Sequence, residues 1–195
     1  MLMWCSGAPA PDAPARLSQP RPDTIRTEFR VFDGVIEVSA ETRLRVRPSG
    51  STETGQILEA GALSADLPAG LYDVQAVRQK AGQAVNVRWA ERLLVMAYPD
   101  EGGHHLEVIN FAEEHGALQL RWPKGSAPDP AVSVTVTREG DSRVVAARTV
   151  HGPGYALLVL PAGTYDVRVT RTGRDSVVLS KVEVPIDGTR MKMVP

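Results

Sequence analysis

Three of the chain's four histidines fall in one short stretch, EGGHHLEVINFAEEHG at residues 101–116, among four glutamates. Imidazole and carboxylate groups together are the donor set of a zinc site. On a strand, however, His105 and Glu107 share one face while His104 takes the other, which disfavours a metal ion shared by His104, His105 and His115. Glu113, Glu114 and His115 fall in what reads as a connector. The favoured reading is two turn histidines beside a solvated acidic linker, and no metal or other cofactor is expected.

A second cluster is TRLRVRP, residues 42–48. Arg43, Arg45 and Arg47 on a strand would set three guanidinium groups on one sheet face, about 6–7 Å apart by strand rise. That spacing suits a polymer carrying phosphates or carboxylates. The competing expectation is an outward face cross-paired with acidic neighbours, for which Glu37 and Glu41 lie close in sequence. Trp89 and Trp122 are candidate sugar-stacking platforms, weighed against burial in a chain with only 5% aromatics. No Gly-x-Ser-x-Gly elbow, phosphate loop, Cys-x-x-Cys or His-Glu-x-x-His occurs. No catalytic residue is assigned, and the chain is not expected to be an enzyme.

The elements that would position these groups are strands. With 17 glycines, 15 prolines and 43% hydrophobic residues in 195, composition favours many short strands with punctuated turns. The net charge of -1 supplies no global field for nucleic acid or an acidic membrane. Alternation is clean in several places. Val132, Val134 and Val136 share a face opposite Ser133, Thr135 and Thr137. Tyr165, Val167 and Val169 oppose Asp166, Arg168 and Thr170, Leu44 and Val46 oppose the arginines, and Met191 and Met193 oppose Arg190 and Lys192. Such period-two patterns are half-buried antiparallel strands. Helical periodicity is absent apart from one candidate turn near Phe111–His115.

One phrase is written twice: LPAGLYDV at 67–74 and LPAGTYDV at 160–167. Pro68 and Pro161 cannot donate to a ladder and must lie between strands. Gly70 and Gly163 are expected to supply positive φ. Tyr72 and Tyr165 then open a strand and should send their hydroxyls back to the connecting loop, the corner device of Greek-key sandwiches. The flanks agree as well. GVIEVSAETRLRVRPSG (34–50) and GALQLRWPKGSAPDPAVSVTVTREG (116–140) each begin with Gly and an apolar strand. Downstream, 91–111 and 180–194 each read as strand, turn, strand, with turns at Pro99–Gly103 and at Ile186-Asp187-Gly188-Thr189. QKAGQAVNVRWAER (79–92) looks like an insertion in the first half.

These motifs resemble the carboxypeptidase-regulatory-like, or prealbumin-like (transthyretin-like), β-sandwich domains of bacterial envelope proteins. The resemblance implies an all-β chain of two tandem antiparallel Greek-key β-sandwiches of seven strands each. The expected division is a disordered Pro/Ala-rich tether over 1–25, one sandwich over 26–111, a connector at 112–115 and a second sandwich over 116–195. One branch of that family hydrolyses hydroxyisourate and ends in Tyr-Arg-Gly-Ser. This chain ends RMKMVP, so that activity is not carried over. MLMWCSGAPAPDAPARLSQPRP at the start also resembles a bacterial lipoprotein. Cys5 is then the candidate lipid-attachment residue and the sole route to a membrane; otherwise it is a spare thiol on a tail. Trp4 stands where that pattern has a small residue.

The function implied is a non-enzymatic binding or scaffold module in the periplasm or on the cell surface. It would recognise an envelope protein partner through loops or an exposed sheet edge. The alternative is a carbohydrate- or polyanion-binding module using Trp89 and the face of Arg43, Arg45 and Arg47. Nucleic acid is not an expected partner.

Overall fold

Alternating apolar residues need a partner sheet to cover them, and this chain supplies one twice. The computed structural model describes residues 24–97, 104–123, 131–151, 154–186 and 188–195. Among the described residues the one helical element is a three-residue 3-10 turn, Ser39–Glu41; residues 111–114, the other helical candidate, form a bend and turn.

The first half contains β1 (Thr24–Asp33), β2 (Ile36–Glu37), β3 (Thr42–Pro48), β4 (Gln56–Leu58), β5 (Ser64–Pro68), β6 (Gly70–Lys80), β7 (Gln83–Val95) and β8 (His104–Asn110). β1 is the centre of a first sheet. β5 and β2 pair antiparallel with it on one flank, and β8 runs parallel to it on the other. The second sheet has the order β4-β3-β6-β7. Phe29, Val31, Leu44, Val46, Val74 and Ile109 from the two sheets meet in one buried cluster. Each fully buried side chain of this kind contributes about 1.5–3 kcal/mol over its exposed state.

The second half contains β9 (His115–Arg121), β10 (Val132–Arg138), β11 (Val144–Val150), β12 (Tyr155–Pro161), β13 (Gly163–Arg171), β14 (Val177–Val184) and β15 (Thr189–Met193). Its sheets are β12-β9-β15 and β11-β10-β13-β14. They enclose a separate cluster that includes Leu118, Leu120, Val134, Val136, Tyr165 and Val167. A smaller cluster of Phe32, Leu106, Val108, Ala117 and Leu157 lies where the outer face of β1 and β8 meets that of β9 and β12.

The repeated phrase is the corner between sheets in both halves. Pro68 ends β5 and Pro161 ends β12, each on a flank of its sheet, where a missing N–H costs no central rung. The chain then turns into β6 or β13 in the opposite sheet. The Tyr72 hydroxyl donates to the Pro68 carbonyl at 2.9 Å, and that of Tyr165 donates to the Pro161 carbonyl at 2.6 Å. Burial raises the Tyr72 pKa, which keeps the phenol protonated and able to donate. Of the two glycines, Gly163 has the expected positive φ, +156, whereas Gly70 does not. What they share is the ring of the tyrosine two residues on, which passes within 4 Å of where a Cβ would sit.

Three strand expectations are corrected. The apolar run after Gly34 is not the opening strand of the first half. It forms the two-residue β2, with Val35 and Ile36 at 66% and 67% exposure. The opening strand is β1, whose alternation (Thr27, Phe29 and Val31 in; Arg26, Glu28 and Arg30 out) buries the former set. It starts at Thr24, inside the span expected to be tether.

The strand pairs read as terminal hairpins, β7 with β8 and β14 with β15, lie in different sheets. β8 pairs parallel with β1 and β15 parallel with β9. In the second half Pro185 ends the β14 ladder, and its carbonyl crosses over Gly116, where a Cβ would lie 1.9 Å away. The Gly188 carbonyl then accepts from Ala117 N–H at 2.9 Å, which starts the parallel ladder. Asp187 and residues 98–103, which include the expected Pro99–Gly103 turn, lie outside the described residues.

Finally, Met191 and Met193 do not enter the core. Met193 is 46% exposed, and the buried apolar side chain of this segment is Val194.

Candidate functional site

The outer face of the second sheet is assembled by register. Leu44 and Val46 point into the core, so Arg43, Arg45 and Arg47 must point out. β6 sets Val77 opposite Arg43, Gln75 opposite Arg45 and Asp73 opposite Arg47. β7 sets Val87 opposite Val77 and Trp89 opposite Gln75, while β4 sets Ile57 opposite Arg45. Two rows therefore cross the sheet: Ile57, Arg45, Gln75, Trp89 and, beside it, Arg43, Val77, Val87. Neighbouring strands in such a row lie about 4.8 Å apart.

Trp89 is 42% exposed. Arg47 reaches across to it, its guanidinium carbon 5.1 Å from the ring centroid, a cation–π contact. The same guanidinium lies 3.8 Å from Asp73. Asp73 is tied first to backbone: its carboxylate accepts the Arg92 N–H at 3.2 Å. That bond holds its pKa below the usual carboxylate value. Burial opposes the shift, and the Ser49 hydroxyl, the Gly50 N–H and Arg47 reinforce it.

The acidic residues near the arginines in sequence are engaged elsewhere. Glu37 accepts from the Ser39 hydroxyl at 3.1 Å. Glu41 and Asp33 both take Arg78, each at 2.8 Å. Among the described residues neither Arg43 nor Arg45 forms an ion pair. Both residues are half-buried, on a face that also exposes Ile57, Val87 and Trp89.

The span that looked like an insertion is the distal part of the β6–β7 hairpin. Ala81 and Gly82 form its two-residue turn at φ +50 and +78 between Lys80 and Gln83, the positive-φ pair of a turn that follows strand twist. β7 runs 13 residues at the end of its sheet, with Val85, Val87 and Leu94 more than half exposed.

The other candidates are placed apart. His105 and Glu107 point inward on β8, with Nε2 3.1 Å from Oε2, and both are buried. His104 is exposed on the opposite face, and His115 opens β9. Among the described residues no three His, Cys, Asp or Glu side chains converge as metal ligands. Trp122 is 4% exposed and belongs to the second core, so it offers no platform. Cys5 lies outside the described residues.

Sequence reasoning missed one polar device. The Asp of each Tyr-Asp-Val pins a β-bulge in the following strand: Asp73 holds Arg92 N–H at 3.2 Å, and Asp166 holds Lys181 N–H at 3.1 Å. Arg92 and Lys181 sit at φ +58 and +55, a strained backbone for side-chain-bearing residues. The signal was the aspartate that recurs directly after the tyrosine in both copies of the phrase, which the corner alone does not need.

No protein-family model matches the chain, and no curated protein matches its sequence. Solved structures give distant likenesses. The Bacillus anthracis TIE protein is 16% identical over 88% of this chain and 34% of its own, with a TM-score of 0.34. A leucine-rich repeat protein from Bacteroides thetaiotaomicron is 17% identical over 89% of this chain and 26% of its own, at 0.33. The tip fimbrial protein Mfa3 from Porphyromonas gingivalis is 8% identical over 80% and 81%, at 0.32. The chain thus spans about a third or less of the first two, and at these scores none of the three assigns a family or a function.

Proposed function

We propose that this chain is a non-enzymatic binding or scaffold module of the bacterial cell envelope, built as two tandem prealbumin-like sandwiches over 26–111 and 116–195. It would be held in the periplasm or at the cell surface, with Cys5 as a lipid anchor, and would recognise a protein partner by strand addition to β7. The observation that supports this reading is the edge itself. β7 is hydrogen-bonded to β6 on one side and ends its sheet on the other, and it exposes Val85, Val87 and Trp89. An open edge gives a partner strand backbone donors and acceptors, and the apolar row beside it gives side-chain selectivity.

A photo-crosslinking residue at position 87 tests the reading, with the same residue at position 178 on β14 as the control. The expected result is a discrete adduct with one envelope protein from position 87 alone, lost when Val85 is also changed to Lys. Equal labelling from both positions, or none from position 87, removes the proposal.

A further inference from the structure

The face of the second sheet is a different surface from its edge, and its chemistry points to a different ligand. Its backbone groups are already spent in the ladders to β4, β6 and β7, so whatever lies on it is recognised by side chains. Those side chains are cationic along β3 and apolar to either side, Ile57 on β4 and Val87 and Trp89 on β7. Arg43 and Arg45, about 6–7 Å apart along β3, form no ion pair among the described residues. Two strands away stands Trp89, held on one side by Arg47, which Asp73 steadies in turn. Between cation and indole lies the amide of Gln75.

We propose that this face binds an acidic polysaccharide. Arg43 and Arg45 take carboxylates of successive sugars, Gln75 bonds a ring hydroxyl, and a sugar ring stacks on the exposed side of Trp89. Charge complementarity requires an anionic ligand, since the arginine row carries more charge than Asp73 offsets. The indole requires that the ligand also present a flat C–H surface. An acidic polypeptide fits less well: laid across a sheet face rather than along an edge, it would leave its own amides without partners on the protein side. Nucleic acid is disfavoured by a net charge of -1, which gives no extended positive field. Arg47 has a positioning role, fixing the indole rather than holding the ligand. The proposal shares Trp89 with strand addition to β7 but uses no free backbone group, and the arginine-pair variant tests it apart from that edge.

The test is titration of the full chain with oligogalacturonate, read by calorimetry and by the fluorescence of Trp89. Matched controls are the fully methyl-esterified oligomer and polyglutamate. Wild-type protein is expected to bind oligogalacturonate with affinity that falls as salt rises, and to ignore the ester. Arg43→Gln with Arg45→Gln should weaken binding by about tenfold or more. Trp89→Ala should weaken it several-fold, while Trp89→Phe keeps most of it. Arg168→Gln, on the corresponding face of the second half, should change nothing. Failure of wild type to bind, binding unchanged in the arginine pair or in Trp89→Ala, or equally tight binding of polyglutamate would each overturn the proposal. Unchanged thermal unfolding of each variant establishes that the loss is one of recognition.

Discussion

The two sandwiches match in what they bury and differ in what they show. Laid together on their repeated corners, Leu44 and Val46 correspond to Val134 and Val136, all at 2% exposure or less. Both tyrosines bond a proline carbonyl four residues back, and both aspartates pin a bulge. Outside, Arg43, Arg45 and Arg47 face Ser133, Thr135 and Thr137. The row Ile57, Arg45, Gln75, Trp89 becomes Ala147, Thr135, Arg168, Val178. The core tolerates little change because every buried methyl is felt. The outer face carries no such constraint, so the difference between faces marks where selection for a ligand can act.

The strongest way to break the correspondence is at Gly116. By register with the repeated leucines of the corner, its counterpart in the first half is Ile25, a buried core residue. A large side chain serves at one site, whereas at the other a Cβ meets the Pro185 carbonyl at 1.9 Å. Gly116→Ala is expected to cost the second sandwich upward of about 3 kcal/mol. Calorimetry would read this as a lowered transition for the half containing buried Trp122, with the first sandwich little moved. A uniform shift of both transitions would mean that the halves unfold as one unit.

Next in size are the corners. Removing the hydroxyl leaves a buried carbonyl without its donor, so Tyr165→Phe and Tyr72→Phe should each cost about 1–2 kcal/mol. Tyr165 should lose more, being 1% exposed with the shorter bond, against 6% for Tyr72. Denaturant titration of both variants orders them, and the reverse order would show that corner geometry does not set the energy.

The smallest effect is acid sensitivity. Asp73 has a folded pKa below its ordinary value of 3.8. Its contribution is therefore complete above that value and drains away as pH falls through the lower folded one. The first sandwich should lose stability in that acid window, and Asp73→Asn should flatten its pH profile there while leaving the second sandwich's profile unchanged. Thermal scans across the window read both halves separately.

Much of this fold can be read from the letters because alternation and corner chemistry are local. Val132 to Val136 and Tyr165 to Val169 alternate wherever they sit, and Pro, Gly and Tyr in fixed order demand a bend. β1 escaped notice for a physical reason. Its inward set, Thr27, Phe29 and Val31, is interleaved with charge, while the more apolar Val35 and Ile36 just beyond it belong to an exposed hairpin. The parallel pairing of β15 with β9 escaped as well, since Asp-Gly promises a reversal and nothing local announces that Pro185 carries the chain into the other sheet. The candidate face was half visible. The arginine row follows from period two, but Trp89 joins it through registers across three strands, and neither spacing nor composition encodes those.

The parallel placement of first and last strands has a mechanical consequence. Because β8 runs alongside β1 in the same direction, the chain enters the first sandwich at one end of that pair and leaves it at the other. A pull along the polypeptide must then slide the two strands past each other and strain all seven of their residue pairs at once, instead of peeling them singly. β9 and β15 repeat the arrangement with five. Each half is thus wired to resist tension along the direction in which the chain would transmit it.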